Sequence, residues 1–297
     1  MDKRDAPKGE SILKHWRELT RPVTWVTSPI GIFCGALAAS SVLDSSWYYK
    51  TIAAMIISGP VLISGGQMIN HYFDMEIDRI NKPHRPLPSG KLNPKTVLYL
   101  SFIIAAVGII LSFLLSTEFA YFSIIEAFLI YAYSVPPFRF KKHWLGELTS
   151  IPLIYGLIPI LGGWAIFNPV IPFNLVLVGI LISLTISFGY SIKDFEDVEG
   201  DAKHGVKTLP VAYGIQAVSQ VGSILSVLIG LAYIAIPYLG LVKPGFELDF
   251  LVIGVAFAIY MNWLFSNPKM IDIKKHLPPI LLLYTLLCYF IGVGWMR

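Results

Sequence analysis

Charge is scarce in this chain. Of its 297 residues only 14% are Asp, Glu, Lys or Arg, where a soluble globular domain carries about a quarter, and this shortage excludes a water-soluble domain as the bulk of the molecule. Cysteine is nearly absent. Cys34 and Cys288 both stand inside apolar stretches, where a free thiol behaves as a small buried hydrophobe, so neither a disulfide framework nor a cysteine metal site is expected. The net charge of +4 is small and its basic residues are interrupted by apolar runs, which excludes a nucleic-acid surface.

Apolar surface is plentiful: 55% of the residues are hydrophobic. At roughly 20 apolar residues per spanning helix, this is enough for eight or nine spans. The expected fold is an all-α integral membrane protein with a single membrane domain over 22–297 and a polar N-terminal segment, 1–21, carrying Lys3, Arg4, Lys8, Lys14, Arg17 and Arg21. The apolar run that follows is too long for the core of a cleavable signal, so the segment is expected to be retained. Apolar runs bounded by Pro, Gly and charge place nine spans near 22–43, 48–70, 96–116, 119–135, 147–167, 172–193, 215–240, 248–267 and 277–296. Alternating sides then puts all but Lys50, Lys243 and Arg297 of the 23 lysines and arginines on one side, together with all six histidines. By the positive-inside rule that side is cytoplasmic. The expected location is a cell inner or plasma membrane, with the N-terminus and the long polar loops in the cytoplasm.

Two acidic clusters close spans on that side. Asn70, Asp74 and Asp78 are spaced i, i+4, i+8, and Asp194, Asp197 and Asp201 are spaced i, i+3, i+7, so each set shares one helix face. Like charges at such spacing repel, and a hard divalent cation would supply the missing counter-charge. Magnesium is usually held by one or two carboxylates together with phosphate oxygens, so two facing stripes would grip a diphosphate through bridging Mg²⁺. Arg79, Lys82 and Arg85 after the first stripe, and Lys193 and Lys203 around the second, are the cations placed to touch phosphate. An arginine fork suits phosphate oxygens and lysine acts as a point charge.

The proline-rich loop Asn81-Lys82-Pro83-His84-Arg85-Pro86-Leu87-Pro88-Ser89-Gly90 is stiffened by its rings and is expected to hold Arg85 over the diphosphate. A second such loop, Tyr133-Ser134-Val135-Pro136-Pro137-Phe138-Arg139-Phe140-Lys141-Lys142, adds Arg139 to the diphosphate-binding set, whereas Lys141 and Lys142 read as positive-inside anchors. Glu126 is the one acid expected well inside a span, which marks it for function, although no partner is visible in the sequence. Aromatics such as Trp25, Tyr121, Phe122, Tyr131 and Tyr133 read mainly as interface belts or packing.

Together these motifs, Asn70-x-x-x-Asp74-x-x-x-Asp78, Arg85-Pro86-x-Pro88-Ser89-Gly90, Tyr133-Ser134-x-Pro136-Pro137 and Asp194-x-x-Asp197-x-x-Gly200-Asp201, resemble the UbiA superfamily of intramembrane prenyltransferases from about residue 17 to at least 214. The resemblance implies nine transmembrane helices around a central cavity, a cytoplasmic cap formed by the motif-bearing loops, and Mg²⁺-dependent transfer of a prenyl chain from an isoprenyl diphosphate donor to a lipophilic acceptor. It also implies that Asn70, Asp74, Asp78, Asp194, Asp197 and Asp201 hold the metals, that Arg85 and Lys193 contact the diphosphate, and that Asp74, Asp197, Lys193 and Arg85 carry the catalysis. Arg21-Pro22-Val23-Thr24-Trp25 and Val198-Glu199-Gly200-Asp201 look most like the chlorophyll and bacteriochlorophyll synthase branch, whose acceptor is a chlorophyllide. Asn70-His71-Tyr72 and Lys193-Asp194-Phe195 depart from that branch, and the Lys-Asp form looks closer to the archaeal digeranylgeranylglyceryl phosphate synthases. Both branches imply a geranylgeranyl donor. An aromatic acceptor is a third alternative, and a cation or solute transporter or a membrane scaffold are the readings outside enzymology.

Overall fold

Residues 11–203 and 205–296 are described by a computed structural model, and the side chain of Asp197 lies outside the described set. Fifteen α-helices follow one another: α1 (Ile12–Thr20), α2 (Thr27–Ala38), α3 (Ser45–Ile56), α4 (Ser64–Phe73), α5 (Met75–Asn81), α6 (Pro94–Phe113), α7 (Thr117–Ser134), α8 (Trp144–Pro152), α9 (Ile158–Ala165), α10 (Phe173–Ser191), α11 (Asp194–Lys203), α12 (Leu209–Tyr213), α13 (Ile215–Tyr238), α14 (Glu247–Ser266) and α15 (Ile273–Trp295). Among the described residues the only β pairing is one isolated bridge, His143 to Lys207. The helix starts follow local chemistry. The Asp44 carboxylate accepts from Trp47 N at 2.7 Å to open α3, the Asn93 amide oxygen caps α6 ahead of Pro94, and Ser116 caps α7, each satisfying donors that a helix leaves free.

Seven continuous rods are long and apolar enough to cross a membrane: Ser45–Phe73, Pro94–Phe113, Trp144–Ala165, Phe173–Glu196, Ile215–Tyr238, Glu247–Ser266 and Ile273–Trp295. The other two spans expected from the sequence are a shorter apolar helix, Pro22–Ala38, and α7, whose 18 residues include Glu118 and Glu126. Large apolar side chains stand on the outside of the bundle, Tyr99, Phe102, Ile103 and Ile110 on α6 and Ile224, Leu228 and Leu231 on α13. Contiguous exposed apolar surface of this kind suits lipid. The protein is a multi-pass integral membrane protein.

Two rods widen internally. Ile57–Ile63 and Leu153–Leu157 are π-helical, the first around Pro60 and the second just after Pro152. Proline lacks the N–H that the α ladder needs and clashes with the preceding turn, so the local bonding slips by one residue. Such bulges gather at functional sites, and here Ile63 and Ile154 from these two turns line the same cavity.

Close packing joins the halves of the bundle. An ideal Cβ at Gly35 on α2 would stand 1.9 Å from the Ile160 carbonyl oxygen, and one at Gly163 on α9 would stand 2.1 Å from that of Ile32. Only glycine lets two membrane helices meet at this separation. Around that seam lie two cores: Trp164, Val178, Ile182, Tyr233, Phe257 and Leu287 on one side, and Ile57, Leu62, Phe119 and Ile130 on the other.

Glu126 finds its partners within the second half. Only 2% exposed, its carboxyl accepts from Ser28 Oγ at 2.7 Å and from Ser58 Oγ at 2.7 and 2.9 Å, and the two serines also touch each other. The cluster is a hydrogen-bonded staple between α2, the widened turn and α7. Glu126→Gln keeps both serines bonded and is expected to change stability by less than about 1 kcal/mol. Glu126→Leu leaves the two serines only each other, so that one buried hydroxyl donor is orphaned, and should cost about 1–3 kcal/mol. Thermal denaturation of both variants in detergent micelles measures the difference.

Candidate active site

The polar chemistry gathers at one end of the bundle. α4 runs to Phe73, breaks at Asp74 (φ −94°, ψ −1°) and resumes as α5, yet Asp74 N still donates to Asn70 O at 3.0 Å and Asp78 N to Asp74 O at 2.8 Å. The break leaves Asn70, Asp74 and Asp78 on one side of the chain, where all three line a cavity of ≈ 360 Å³. Across it stand Ile151, Ile154 and Tyr155 of the other widened rod, Tyr190 and Lys193 at the end of α10, and Asp201 of α11. The loops after α7 and α11 are tied together beside it, Trp144 N donating to Lys207 O at 2.9 Å and Lys207 N to Lys142 O at 3.3 Å.

Each described carboxylate of the first motif already holds a cation. Lys141 Nζ sits 2.6 Å from Asp74 Oδ1 and 2.7 Å from Asn70 Oδ1, with Arg139 3.6 Å from the same carboxylate. Burial pushes the Lys141 ammonium below its ordinary pKa, against the opposing pull of Asp74. Lys141, expected as a surface anchor, is therefore a partly buried member of the site. Arg85 NH1 donates to Asp78 Oδ2 at 2.7 Å, and His71 Nδ1 lies 3.8 Å from that oxygen. Burial alone would raise the Asp78 pKa, but the His71 and Arg85 contacts together hold it below the usual carboxylate value. Arg21 faces the same cavity, its pKa lowered by burial and by the neighbouring Arg85 guanidinium.

Arg21 and Arg139 share one more property. Among the described residues they are the two non-glycines with positive φ, at 46° and 44°. Such left-handed conformations are costly for residues with a Cβ and gather where the fold must aim a side chain. Both of these residues aim a guanidinium toward one cavity.

The second motif is arranged differently. The chain turns at Ile192 and Lys193 between α10 and α11, and Asp194, 2% exposed, is drawn to Lys193 Nζ at 2.5 Å, lining a small adjoining pocket instead of the main one. Asp201 lines the main cavity, and the Asp197 side chain is outside the described residues. Lys193 also donates to Glu147 Oε1 at 3.1 Å and lies 4.2 Å over the Tyr190 ring. Of the other expected cations, Lys82 and Arg139 line the cavity, whereas Arg79 is on the outer surface, bonded to Glu76 at 2.9 Å.

Sequence reasoning passed over Arg21, Gln67, Glu147, Tyr155 and Tyr190, all of which line the cavity. Glu147 carried a weak signal, being an acid at the first position of the 147–167 window expected to span.

A second, apolar cavity of ≈ 220 Å³ opens beside the first. Val23, Thr27, Ile186, Ile280, Leu281 and Tyr284 are on its walls, and Tyr155, Tyr190 and Lys193 line both cavities. Charged groups and an apolar groove thus meet at three shared side chains.

The donor chemistry suits a hard divalent cation. Asp74, Asp78, Asp201 and the Asn70 amide oxygen are all hard oxygens on one cavity, and the Lys141 ammonium between Asn70 and Asp74 shows that this pair already grips a cation. Among the described residues no three acidic, histidine or cysteine side chains converge on a single point.

Comparison with known proteins decides the family. The sequence profile of the UbiA prenyltransferase family matches residues 28–276. The chain belongs to this family. It is 34% identical over 269 residues to the chloroplastic chlorophyll synthase of Avena sativa, a stretch that is 82% of this chain and 70% of the oat protein. A solved digeranylgeranylglyceryl phosphate synthase superposes with a TM-score of 0.71 at 27% identity, covering 96% of this chain and 98% of that one. The Archaeoglobus fulgidus UbiA homologue solved with DMAPP and Mg²⁺ shares the fold, with a TM-score of 0.70 at 16% identity, covering 95% and 99%. This UbiA-family protein is a membrane prenyltransferase, which sets aside the transporter and scaffold readings.

Proposed function

We propose that the enzyme joins a geranylgeranyl chain, carried as its diphosphate, to a lipophilic acceptor in a Mg²⁺-dependent reaction at the cavity of Asn70, Asp74, Asp78 and Asp201. The observation that carries this reading is the junction of the two cavities. A diphosphate fits the end rich in carboxylates and cations, an isoprenoid fits the groove of Val23, Ile186, Ile280 and Leu281, and the bond between them falls beside Tyr155, Tyr190 and Lys193. Asn70, Asp74, Asp78 and Asp201, joined by Asp197, are the ligands we assign to Mg²⁺, which when bound neutralises diphosphate charge and favours its departure. Asp194, turned toward Lys193, is assigned to holding that ammonium.

The remaining roles fall to cations and walls. Arg85, Arg139, Lys82 and Lys193 hold the diphosphate oxygens as preorganised donors. The apolar groove keeps water from the allylic carbon until the acceptor attacks. In this reading Pro22–Ala38 and α7 cross the membrane with the seven longer rods, giving nine spans, and the loops bearing the motifs form a cap on the cytoplasmic face, as the distribution of lysine and arginine supports.

The test is product analysis by mass spectrometry. The purified protein is incubated with geranylgeranyl diphosphate and Mg²⁺, and offered chlorophyllide and geranylgeranylglyceryl phosphate in parallel. A geranylgeranylated product with either, abolished by EDTA, is the expected result. No pyrophosphate release under any of these conditions would contradict the reading.

A further inference from the structure

The proton balance of prenyl transfer depends on the acceptor. A carboxylic acid, with an ordinary pKa near about 4, arrives ionised; its oxygen attacks the allylic carbon, the carbon–diphosphate bond breaks, and no proton is left over. A hydroxyl brings its proton along. As the new C–O bond forms and the diphosphate departs with the electron pair of the broken bond, the acceptor oxygen must release H⁺ to a group within hydrogen-bond reach.

Such a path starts at the junction of the cavities. Tyr190 lines both the polar cavity and the apolar groove. Its hydroxyl is 3.3 Å from that of Tyr133, and the Tyr133 hydroxyl donates to Glu147 Oε1 at 3.3 Å. Because Tyr133 donates to the carboxylate, Tyr190 donates to Tyr133, which leaves the lone pairs of Tyr190 free to accept from a molecule at the junction. Both links are loose, as catalytic contacts often are before substrate binds. Glu147 holds a cation, Lys193 at 3.1 Å, as Asp74 and Asp78 hold Lys141 and Arg85, and it differs from them in also being reached through two phenols from the groove.

We propose that Tyr190, Tyr133 and Glu147 form a proton relay, and that the acceptor is accordingly a hydroxyl compound and not a carboxylate. The proposal rests on the prenyl-transfer reading above and names the acceptor class within it. The acceptor O–H gives its proton to Tyr190 Oη, the Tyr190 proton passes to Tyr133 Oη, and the Tyr133 proton passes to Glu147, which returns it to water after the product leaves. Tyr190 is the catalytic member because it touches substrate; Tyr133 and Glu147 act through it.

Two variants separate the relay from a structural role of Glu147 in holding Lys193. Glu147→Gln removes the proton acceptor. Tyr133→Phe breaks the wire in its middle and leaves the Glu147–Lys193 pair intact. Wild type and both variants are assayed with geranylgeranyl diphosphate, Mg²⁺ and either geranylgeranylglyceryl phosphate, a hydroxyl acceptor, or chlorophyllide, a carboxylate acceptor. The expected result is alkylation of the hydroxyl acceptor, with kcat falling about a hundredfold in each variant, KM for both substrates within twofold, and the wild-type solvent deuterium isotope effect altered in both. If both acceptors react at comparable rates, the acceptor class is overturned; selective loss on the hydroxyl one then still supports the relay, and equal loss overturns it too. Tyr133→Phe at the wild-type rate overturns it also, the proton then leaving by another route such as the diphosphate. Alkylation of chlorophyllide alone overturns the acceptor class while leaving prenyl transfer standing. Alkylation of neither overturns the proposal, and pyrophosphate release in the same samples tells whether the reading beneath it fails too.

Discussion

Asp74→Ala is expected to lower prenyl transfer by about a thousandfold while the protein still accumulates in the membrane. The carboxylate is the meeting point of Lys141 at 2.6 Å and Arg139 at 3.6 Å, and it stands one turn from Asn70. Its loss removes an oxygen ligand from the cavity and leaves two cations without their counter-charge where a metal and a diphosphate must bind. The backbone does not require aspartate there: φ −94° and ψ −1° suit alanine equally. Turnover and the thermal midpoint of the same preparation separate the two effects. Asp197→Ala should behave alike, and retained turnover in both variants would remove the metal assignment.

Gly35→Val should prevent the bundle from assembling. A Cβ at this position meets the Ile160 carbonyl oxygen at 1.9 Å and the Trp164 amide nitrogen at 2.7 Å, both backbone atoms that no rotamer change can move. Relief requires α2 and α9 to separate, which undoes the packing of Ile32, Ile160 and Trp164 along the seam. The cost should exceed about 3 kcal/mol, the upper end of ordinary overpacking, and Gly35→Ala should already be destabilising. Gly200→Ala, with open space around its Cβ, serves as the control. Size-exclusion profiles and thermal midpoints in detergent are the readout, and a monodisperse Gly35→Val protein of wild-type stability would contradict the packing argument.

The legible part of this molecule was its one-dimensional content. Apolar runs about the length of a bilayer announced the membrane domain, and the i, i+4, i+8 spacing of Asn70, Asp74 and Asp78 placed them together because that spacing survives the break at Asp74. Partnership across the chain was not legible. Lys141 looked like a surface anchor because Asp74, its counter-charge, is 67 positions away, and Glu126 looked partnerless because Ser28 and Ser58 are 98 and 68 positions away. Asp194 shows the limit of spacing arguments. Its i, i+3, i+7 relation to Asp197 and Asp201 holds within α11, but Asp194 is held against the Lys193 ammonium and lines the small adjoining pocket, while Lys193 itself lines the main cavity. Arg79 was the opposite case: its i,i+3 neighbour Glu76 was visible in the sequence, and the two pair on the surface.

The measurement that bears most directly on the account is pyrophosphate release from geranylgeranyl diphosphate by the purified enzyme across a Mg²⁺ titration, wild type beside Asp74→Ala, in the presence of acceptor. The account predicts release that rises with Mg²⁺ and saturates in the wild type, disappears with EDTA, and stays near background in the variant at every metal concentration. Release that is independent of Mg²⁺, or equal in the two proteins, would contradict it.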